Sequence, residues 1–306
     1  MTKPTVSVVM ITYGHENYIT EAIEGVLMQQ CDFDIELIIA NDCSPDNTDF
    51  FIKKIIKEHP KAHLIKYFKH EKNKGMLPNF IWALQQAKAK YIALCEGDDY
   101  WIDPLKLQKQ VEFLEKNDSY GAVFTDSDFL VQKKNIRIKS IDKKYKLDIP
   151  TGNVTNIILY ESLYKTCTVL FKRPNFVKFF ELISKQRFLL GDKPLWLYLS
   201  ESMKIGYINH STCVRRVLIS SASNHKSFQE NVRFRQSSYK VSLLFANRNN
   251  IALDKKKYKK MYFKSLIKYA IENRMIFEAL KHFKLKGIVS LPCTKSTGRL
   301  RKAKLF

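Results

Sequence analysis

Val6-Ser7-Val8-Val9-Met10-Ile11-Thr12-Tyr13-Gly14 brings an apolar run to a stop at a polar, glycine-ended turn. A run this apolar reads as a buried strand, because a half-exposed strand would alternate polar and apolar positions. Ile19, Ile23, Val26 and Leu27 follow at helical spacing. A second apolar run, Ile35-Glu36-Leu37-Ile38-Ile39-Ala40, delivers Asn41-Asp42-Cys43-Ser44 to the same edge. Pro45-Asp46-Asn47-Thr48 then turns into a helix carrying Phe51, Ile52, Ile55 and Ile56, which stops at His59-Pro60. Strand, helix, strand, helix predicts a parallel sheet flanked by helices. The first crossover has no Gly-x-Gly-x-x-Gly, which disfavours a dinucleotide-binding fold despite the similar rhythm.

Farther along, Tyr91-Ile92-Ala93-Leu94-Cys95 reads as another buried strand and runs directly into Glu96-Gly97-Asp98-Asp99. Three carboxylates therefore crowd the carboxyl end of a strand, where open α/β sheets bind ligands. Like charges this close repel, and a hard cation such as Mg²⁺ or Mn²⁺ relieves the repulsion while keeping positions open for diphosphate oxygens. Asp98 and Asp99 are the expected ligands. The competing reading is an acidic turn ahead of a helix, with Asp103 capping and Pro104 at its first position.

The run VSVVMITYGHENYITEAIEGVLMQQ, the segment ELIIANDCSPDNT, the stretch NKGMLPNFIWALQQAKAKYIALCEGDDYW and the later GDKPLW together resemble a family 2 glycosyltransferase of the GT-A fold. The similarity runs from about Val6 to Leu114 and fades beyond it. It implies a catalytic domain over residues 1–230, with a nucleotide-sugar half to about 115 and an acceptor half over 116–230, followed by a basic helical extension over 231–306. The implied reaction is inverting transfer from a nucleotide-sugar donor, a UDP-sugar, to a saccharide or lipid-linked acceptor. Bacterial surface polysaccharide or lipopolysaccharide synthesis is the setting the resemblance suggests.

In similar enzymes the Thr12-Tyr13 pair lies against the nucleotide base, and a tyrosine face suits stacking on uracil; Tyr13 could equally roof the sheet. Asp42 matches the base-reading carboxylate, with an Asx turn to Ser44 as the structural alternative. Asn73-Lys74-Gly75 resembles the Asn-x-Gly element beside the sugar nucleotide, with Gly75 supplying a positive φ or a close backbone approach and Asn79 beginning the next helix. None of Lys69, Lys72 or Lys74 is singled out as a phosphate ligand. Inversion requires a base opposite the leaving nucleotide, hence from another segment, and Asp192 of Gly191-Asp192-Lys193-Pro194-Leu195-Trp196 occupies that place. The family often carries Glu-Asp there, so the match rests on one carboxylate and Leu195-Trp196. Asp192 could also cap a helix beginning near Pro194, and Glu201 is the fallback base. Arg216 and His225 match the tail that closes over the diphosphate in relatives, although a surface histidine explains His225 as well.

Two other classes compete. A nucleotidyltransferase would share the sheet and the metal, but calls for a Gly-rich, basic phosphate loop that Thr12-Tyr13-Gly14-His15-Glu16 does not supply. A catalytically inactive sugar-nucleotide binder would keep the base pocket alone.

At 306 residues and 45% hydrophobic content the chain can hold one large catalytic domain plus an appendage. Cys31, Cys43, Cys95, Cys167, Cys213 and Cys293 show no zinc spacing, which points to a reduced compartment. The first strand begins almost at once, without a leader pattern, and no run is long and apolar enough to span a bilayer. A cytoplasmic enzyme is expected, and the absence of Gln-x-x-Arg-Trp argues against processive synthesis. Of the formal net charge of +22, residues 253–306 hold +13, from 16 Lys/Arg against 3 Asp/Glu. Tyr258, Tyr262, Leu266, Tyr269, Ala270, Ile276, Phe277, Leu280 and Phe283 recur there at helical spacing. The pattern fits a basic helical pair on an anionic membrane, at the inner face of the cell membrane, or an appendage packed on the catalytic domain. Lys133 to Lys146 forms a second basic stretch, expected as a loop or hairpin near the acceptor. No nucleic-acid-reading module accompanies the charge.

Overall fold

Val8 and Met10 point to one face of the first strand and Val9 to the other, and all three are buried, as a central parallel strand requires. The computed structural model describes residues 4–218 and 227–285. In chain order it contains β1 (Val6–Thr12), α1 (Ile19–Leu27), β2 (Ile35–Asn41), α2 (Thr48–Glu58), β3 (Ile65–Lys69), α3 (Met76–Gln86) and β4 (Tyr91–Leu94). Next come β5 (Tyr100–Trp101), α4 (Lys106–Lys116), β6 (Tyr120–Val131), β7 (Ile136–Ile138), α5 (Ile141–Lys144), α6 (Thr155–Ile158) and β8 (Leu170–Lys172). The remainder is α7 (Phe176–Ser184), α8 (Asp192–Ser200), β9 (Lys204–Val217), α9 (Phe228–Arg248), α10 (Lys255–Glu272) and α11 (Ile276–Leu285).

The strands form one sheet in the order β3-β2-β1-β4-β8-β6-β9-β5, with β7 on the side of β6. The expected parallel sheet is β3-β2-β1-β4. β8 inserts antiparallel to both β4 and β6, β9 runs parallel to β6, and β5 closes the edge antiparallel to β9. This is a GT-A fold. On one face Val9, Ile38, Phe80, Phe124, Phe179, Trp196 and Phe245 pack together, which joins α3, α7, α8 and α9 to the sheet. On the other, Val8, Met10, Ile23, Trp101, Leu107 and Val123 pack under α1 and α4.

Three helix starts differ from the sequence expectation, each for a local reason. α3 begins at Met76, not Asn79, because Gly75 caps it at φ 88° and Pro78 sits in the first turn, where its missing N–H costs nothing. Asn79 is instead buried, donating from Nδ2 to the Ala40 carbonyl at 3.1 Å and so tying α3 to β2. α4 begins at Lys106, because the Asp103 side chain accepts from Leu105 N at 3.0 Å and holds Pro104-Leu105 in a turn. α8 begins at Asp192 itself, with Gly191 as its N-cap. The Lys133–Lys146 stretch resolves its alternatives as a hairpin, β6 to β7, followed by the short α5.

Candidate active site

The acidic turn continues β4 alongside β1: Cys95 N donates to Val9 O at 3.1 Å and Gly97 N to Ile11 O at 3.0 Å. A Cβ on Gly97 would lie 2.7 Å from Thr12 Oγ1 and 2.9 Å from His15 Nδ1, so only glycine lets the turn press this closely on the end of β1. Asp99 is buried and accepts the backbone N–H of Arg216 at 2.7 Å. The Arg216 guanidinium donates to Asp98 O at 2.7 Å, pairs with Glu21, and lies over the Tyr18 and Tyr100 rings at 5.0 and 4.5 Å. Arg216 thus braces the turn from behind, and its side chain is almost wholly enclosed.

Burial, followed by the neighbouring acids, pushes Glu96 up to about 8, and burial with Asp98 pushes Asp99 up to about 7. Glu96 Oε2 is buried without a hydrogen-bond partner and borders a cavity of about 10 Å³ lined by Val9, Ile11, Phe80 and Leu94. Burial and the neighbouring acids thus favour the neutral form of Glu96 under the turn. Asp98 is half-buried, and Asp99 has one oxygen on Arg216 N. Among the described residues no group of three or more His, Cys, Asp and Glu side chains is placed to hold a metal ion. Two adjacent carboxylates that repel each other still suit a hard cation that keeps waters and takes further oxygens from a substrate diphosphate.

The ends of β1 and β2 meet this turn. Asp42 N donates to Thr12 O at 3.0 Å, and the buried Asp42 carboxylate accepts from Lys74 N at 2.7 Å and Gly75 N at 2.9 Å. Asn73 Oδ1 accepts from the same Gly75 N at 2.9 Å. The Asx turn to Ser44 exists, but Asn41 makes it, accepting from Ser44 N at 2.9 Å and Ser44 Oγ at 2.7 Å. Thr12, Asp42, Asn73, Gly75, Asp98 and Asp99 are thus brought to one sheet edge, with Tyr13 beside them, 49% exposed. His15 joins them without having been singled out: its Nδ1 lies 3.1 Å from Thr12 Oγ1, and burial lowers its pKa against the raising pull of Asp98.

Asp192 arrives from the second half. Gly191 packs so tightly on α3 that a Cβ would lie 2.8 Å from the Phe80 ring and 3.3 Å from Leu77, which gives the Gly191-Asp192 pair a steric reason in this chain. Asp192 accepts its neighbour's N–H, Lys193 N, at 2.7 Å; burial raises its pKa, and Arg215 is among the groups that draw it back down. Arg215 acts in the same sense on Asp99. One cation therefore lies within electrostatic reach of both acids, and it was not among the residues chosen from the sequence. The Lys193 side chain turns away, donating from Nζ to Leu159 O at 3.1 Å and Ser238 Oγ at 3.2 Å. Glu201 is occupied by Arg248 Nε at 3.0 Å and Asn249 Nδ2 at 2.7 Å, a structural assignment for the fallback base. His225 lies outside the described residues.

The family model for Glycosyl transferase family 2 matches residues 7–166, more than half of the chain. The chain belongs to glycosyl transferase family 2. An uncharacterized protein of Mycobacterium tuberculosis is 43% identical over 111 residues, covering 36% of this chain and 32% of the relative. An uncharacterized glycosyltransferase of Methanocaldococcus jannaschii is 35% identical over 149 residues, 48% of this chain and 49% of the relative. The putative teichuronic acid biosynthesis glycosyltransferase TuaG of Bacillus subtilis is 35% identical over 112 residues, 37% of this chain and 42% of the relative. The chain thus spans less than half the length of these relatives. Among solved structures, S. aureus TarS 1–349 in complex with UDP-GlcNAc superposes with a TM-score of 0.58 at 17% identity, covering 92% of this chain and 76% of that one. The mannosyltransferase PcManGT from Pyrobaculum calidifontis, in complex with GDP-Man and Mn²⁺, gives 0.57 at 16% identity, covering 95% and 77%. At such identities the likeness concerns the fold.

Proposed function

We propose that this glycosyltransferase is inverting and moves a sugar from a UDP-sugar to a saccharide or lipid-linked acceptor in bacterial surface polysaccharide or lipopolysaccharide synthesis. Residues 1–230 carry the catalytic machinery. Residues 231–306 form the extension, and those from 253 onward hold the enzyme against the inner face of the cell membrane. The observation that carries the reaction is the convergence of two acids from separate segments, Asp99 and Asp192, on the reach of Arg215. A carboxylate group for the leaving nucleotide and a second carboxylate for the acceptor are the minimum that inversion needs.

In this reading the exposed Tyr13 ring stacks on the uracil, and Thr12 lies along its edge. Asp42 uses one lone pair of each oxygen on Lys74 N and Gly75 N and keeps others for a ring N–H, so one side chain holds the loop and reads the base. Asp98 and Asp99 would hold Mn²⁺ or Mg²⁺, which supplies positive charge to the diphosphate when bound. Arg216 keeps those carboxylates in place, and Arg215 adds positive charge that acts on both Asp99 and Asp192. Asp192 accepts the proton of the attacking hydroxyl; its raised pKa makes it a stronger base than an exposed aspartate.

Asp192→Asn tests this directly. Transfer should fall by about 10² to 10⁴ fold while affinity for the sugar nucleotide stays near wild type, measured as nucleotide release from a panel of UDP-, GDP- and dTDP-sugars with and without Mn²⁺. Near-normal turnover would remove Asp192 from the reaction. Stabilisation by GDP- or dTDP-sugars in preference to UDP-sugars would overturn the base assignment.

A further inference from the structure

The apolar positions of the last two helices do not form one face. Tyr258, Leu266, Tyr269 and Ala270 are buried; the last three pack with Phe228 and Val232 of α9 and with Ala279 and Phe283 of α11. Tyr258 sits instead against the Tyr160 and Tyr239 rings, at 6.1 and 4.5 Å. These residues complete the fold. Ile267 and Ile271 of α10 point the other way, 46% and 58% exposed, and across the Asn273–Met275 turn Ile276, Phe277 and Leu280 of α11 are exposed as well, Phe277 to 85%. Large apolar side chains concentrated at one corner are unusual on a soluble surface.

The charges around them narrow the occupant. Lys260 and Lys264 precede Ile267 and Ile271 by seven residues each, so they share the same helical face, and Lys264, Lys268, Arg274 and Lys281 are all exposed beside the apolar corner. α10 carries seven lysines and a single glutamate. A second copy docking through this face would set two lysine stripes against each other, which like charge opposes. Residues 286–306 would do the same, since they hold six Lys/Arg and no Asp or Glu. A nucleic acid would satisfy the lysines but offers no apolar layer to Phe277.

We infer that the α10–α11 corner is an insertion face for an anionic phospholipid bilayer, with Ile267, Ile271, Ile276, Phe277 and Leu280 entering the interfacial layer and the flanking lysines meeting lipid phosphates. The inference rests on the proposed membrane contact of residues 253–306 and narrows it to one face and one mode. Tyr258, Leu266, Tyr269 and Phe283 take no part. Attachment then has an apolar component that salt does not screen.

The 306-residue chain is sedimented with vesicles of phosphatidylcholine and phosphatidylglycerol, and with phosphatidylcholine alone. Binding should require phosphatidylglycerol. Phe277→Asp should weaken it by about tenfold or more, Lys264→Glu by a similar factor, and Phe50→Asp, an exposed aromatic on α2, not at all. Because Phe277 is so exposed, its replacement leaves the fold intact, and donor-sugar nucleotide release in vesicle-free buffer should match wild type. Phe277→Trp should add a blue-shifted emission component when anionic vesicles are present. Full binding by Phe277→Asp together with loss in Lys264→Glu would overturn insertion while leaving an electrostatic membrane contact. No vesicle binding by the wild type would overturn both, and a dimer in solution abolished by Phe277→Asp would assign the face to a second copy instead.

Discussion

At the strand ends around Thr12, Asp42 and Gly97, polar side chains are engaged by backbone groups of the same edge, while at the α10–α11 corner apolar side chains of good helical spacing are left facing outward. Both regions obey the same local rules of chain geometry. They differ in where the partner lies. At the sheet edge the partners of Asp42 and Asp99 are backbone N–H groups whose positions the sheet and its turns dictate. At the corner, a spacing of three and four residues says only that side chains share a stripe, and a helix has room for more than one stripe. A motif at a strand end therefore predicts its own surroundings, and a helical stripe does not.

The largest expected effect lies on the sheet-edge side. Asp98→Asn and Asp99→Asn should each reduce Mn²⁺- or Mg²⁺-dependent transfer by about 10²-fold or more, because several kcal/mol of charge stabilisation on the diphosphate would be lost. Circular dichroism should show an intact fold for Asp98→Asn, whose side chain is half-buried. Full wild-type transfer in excess chelator would sink the metal reading and leave the acidic turn as a purely structural cap.

On the other side, Leu266→Ala should cost about 2–4 kcal/mol in urea unfolding, since Leu266 is fully buried between α9 and α11. A cost near zero would mean that α10 does not pack on α9 in solution. A truncation at Asp254 would disturb folding as well as any membrane contact. Tyr258 contacts both Tyr160 and Tyr239, and Asp254 N donates to Tyr160 Oη at 2.9 Å, so removing α10 strips part of the surface behind α8. Point substitutions separate membrane contact from folding where a truncation cannot.

Much of this was legible before any coordinates, and the exceptions have physical causes. The parallel half and the acidic strand end depend on runs of buried residues and on turns of fixed chemistry, both local in sequence, whereas the bond from Gly75 N to Asp42 joins segments 33 residues apart and emerges only in the fold. Arg215 and Arg216 show where this stops. The run Cys213-Val214-Arg215-Arg216-Val217 does not say which arginine faces the acids from which side. In the register of β9, Arg215 lies opposite Phe129 and Arg216 opposite Leu130, so the two side chains leave opposite faces. The same holds for Glu201: its distance from Asp192 could be read from the sequence, but its place as the cap that ends α8 and its capture by Arg248 depend on how α9 folds back. Helix starts moved by a few residues wherever a capping glycine or an aspartate turn competed with a proline signal.

A smaller effect tests the electrostatics of the edge. Glu96 and Asp99 titrate higher in the folded chain, at about 8 and about 7, than their ordinary values of 4.5 and 3.8. The folded state therefore binds more protons than the unfolded state between those limits, and metal-free stability should decline as pH rises from about 4 to about 8. Glu96→Gln keeps a neutral group under the turn at every pH. It should match wild type near pH 4 and become the more stable of the two as pH rises toward 8.5, read from urea unfolding in chelator. A pH-independent difference would mean that Glu96 is already ionised in the fold.

The smallest effect sharpens the comparison most. Ile267 follows Leu266 directly, and a step of one residue turns the side chain by about 100° around the helix, from the packed stripe to the exposed one. Ile267→Ala should therefore change unfolding stability by less than about 0.5 kcal/mol, in contrast to Leu266→Ala, even though both remove aliphatic groups from adjacent positions. Helix propensity favours the alanine slightly, so the sign should be neutral or stabilising. A loss comparable to that at Leu266 would mean that Ile267 is covered in solution, which would close the outward face that the exposed corner presents. An unchanged stability combined with weaker attachment to anionic vesicles would assign the neighbouring residues to different tasks, one holding α10 to α9 and the other reaching away from the protein.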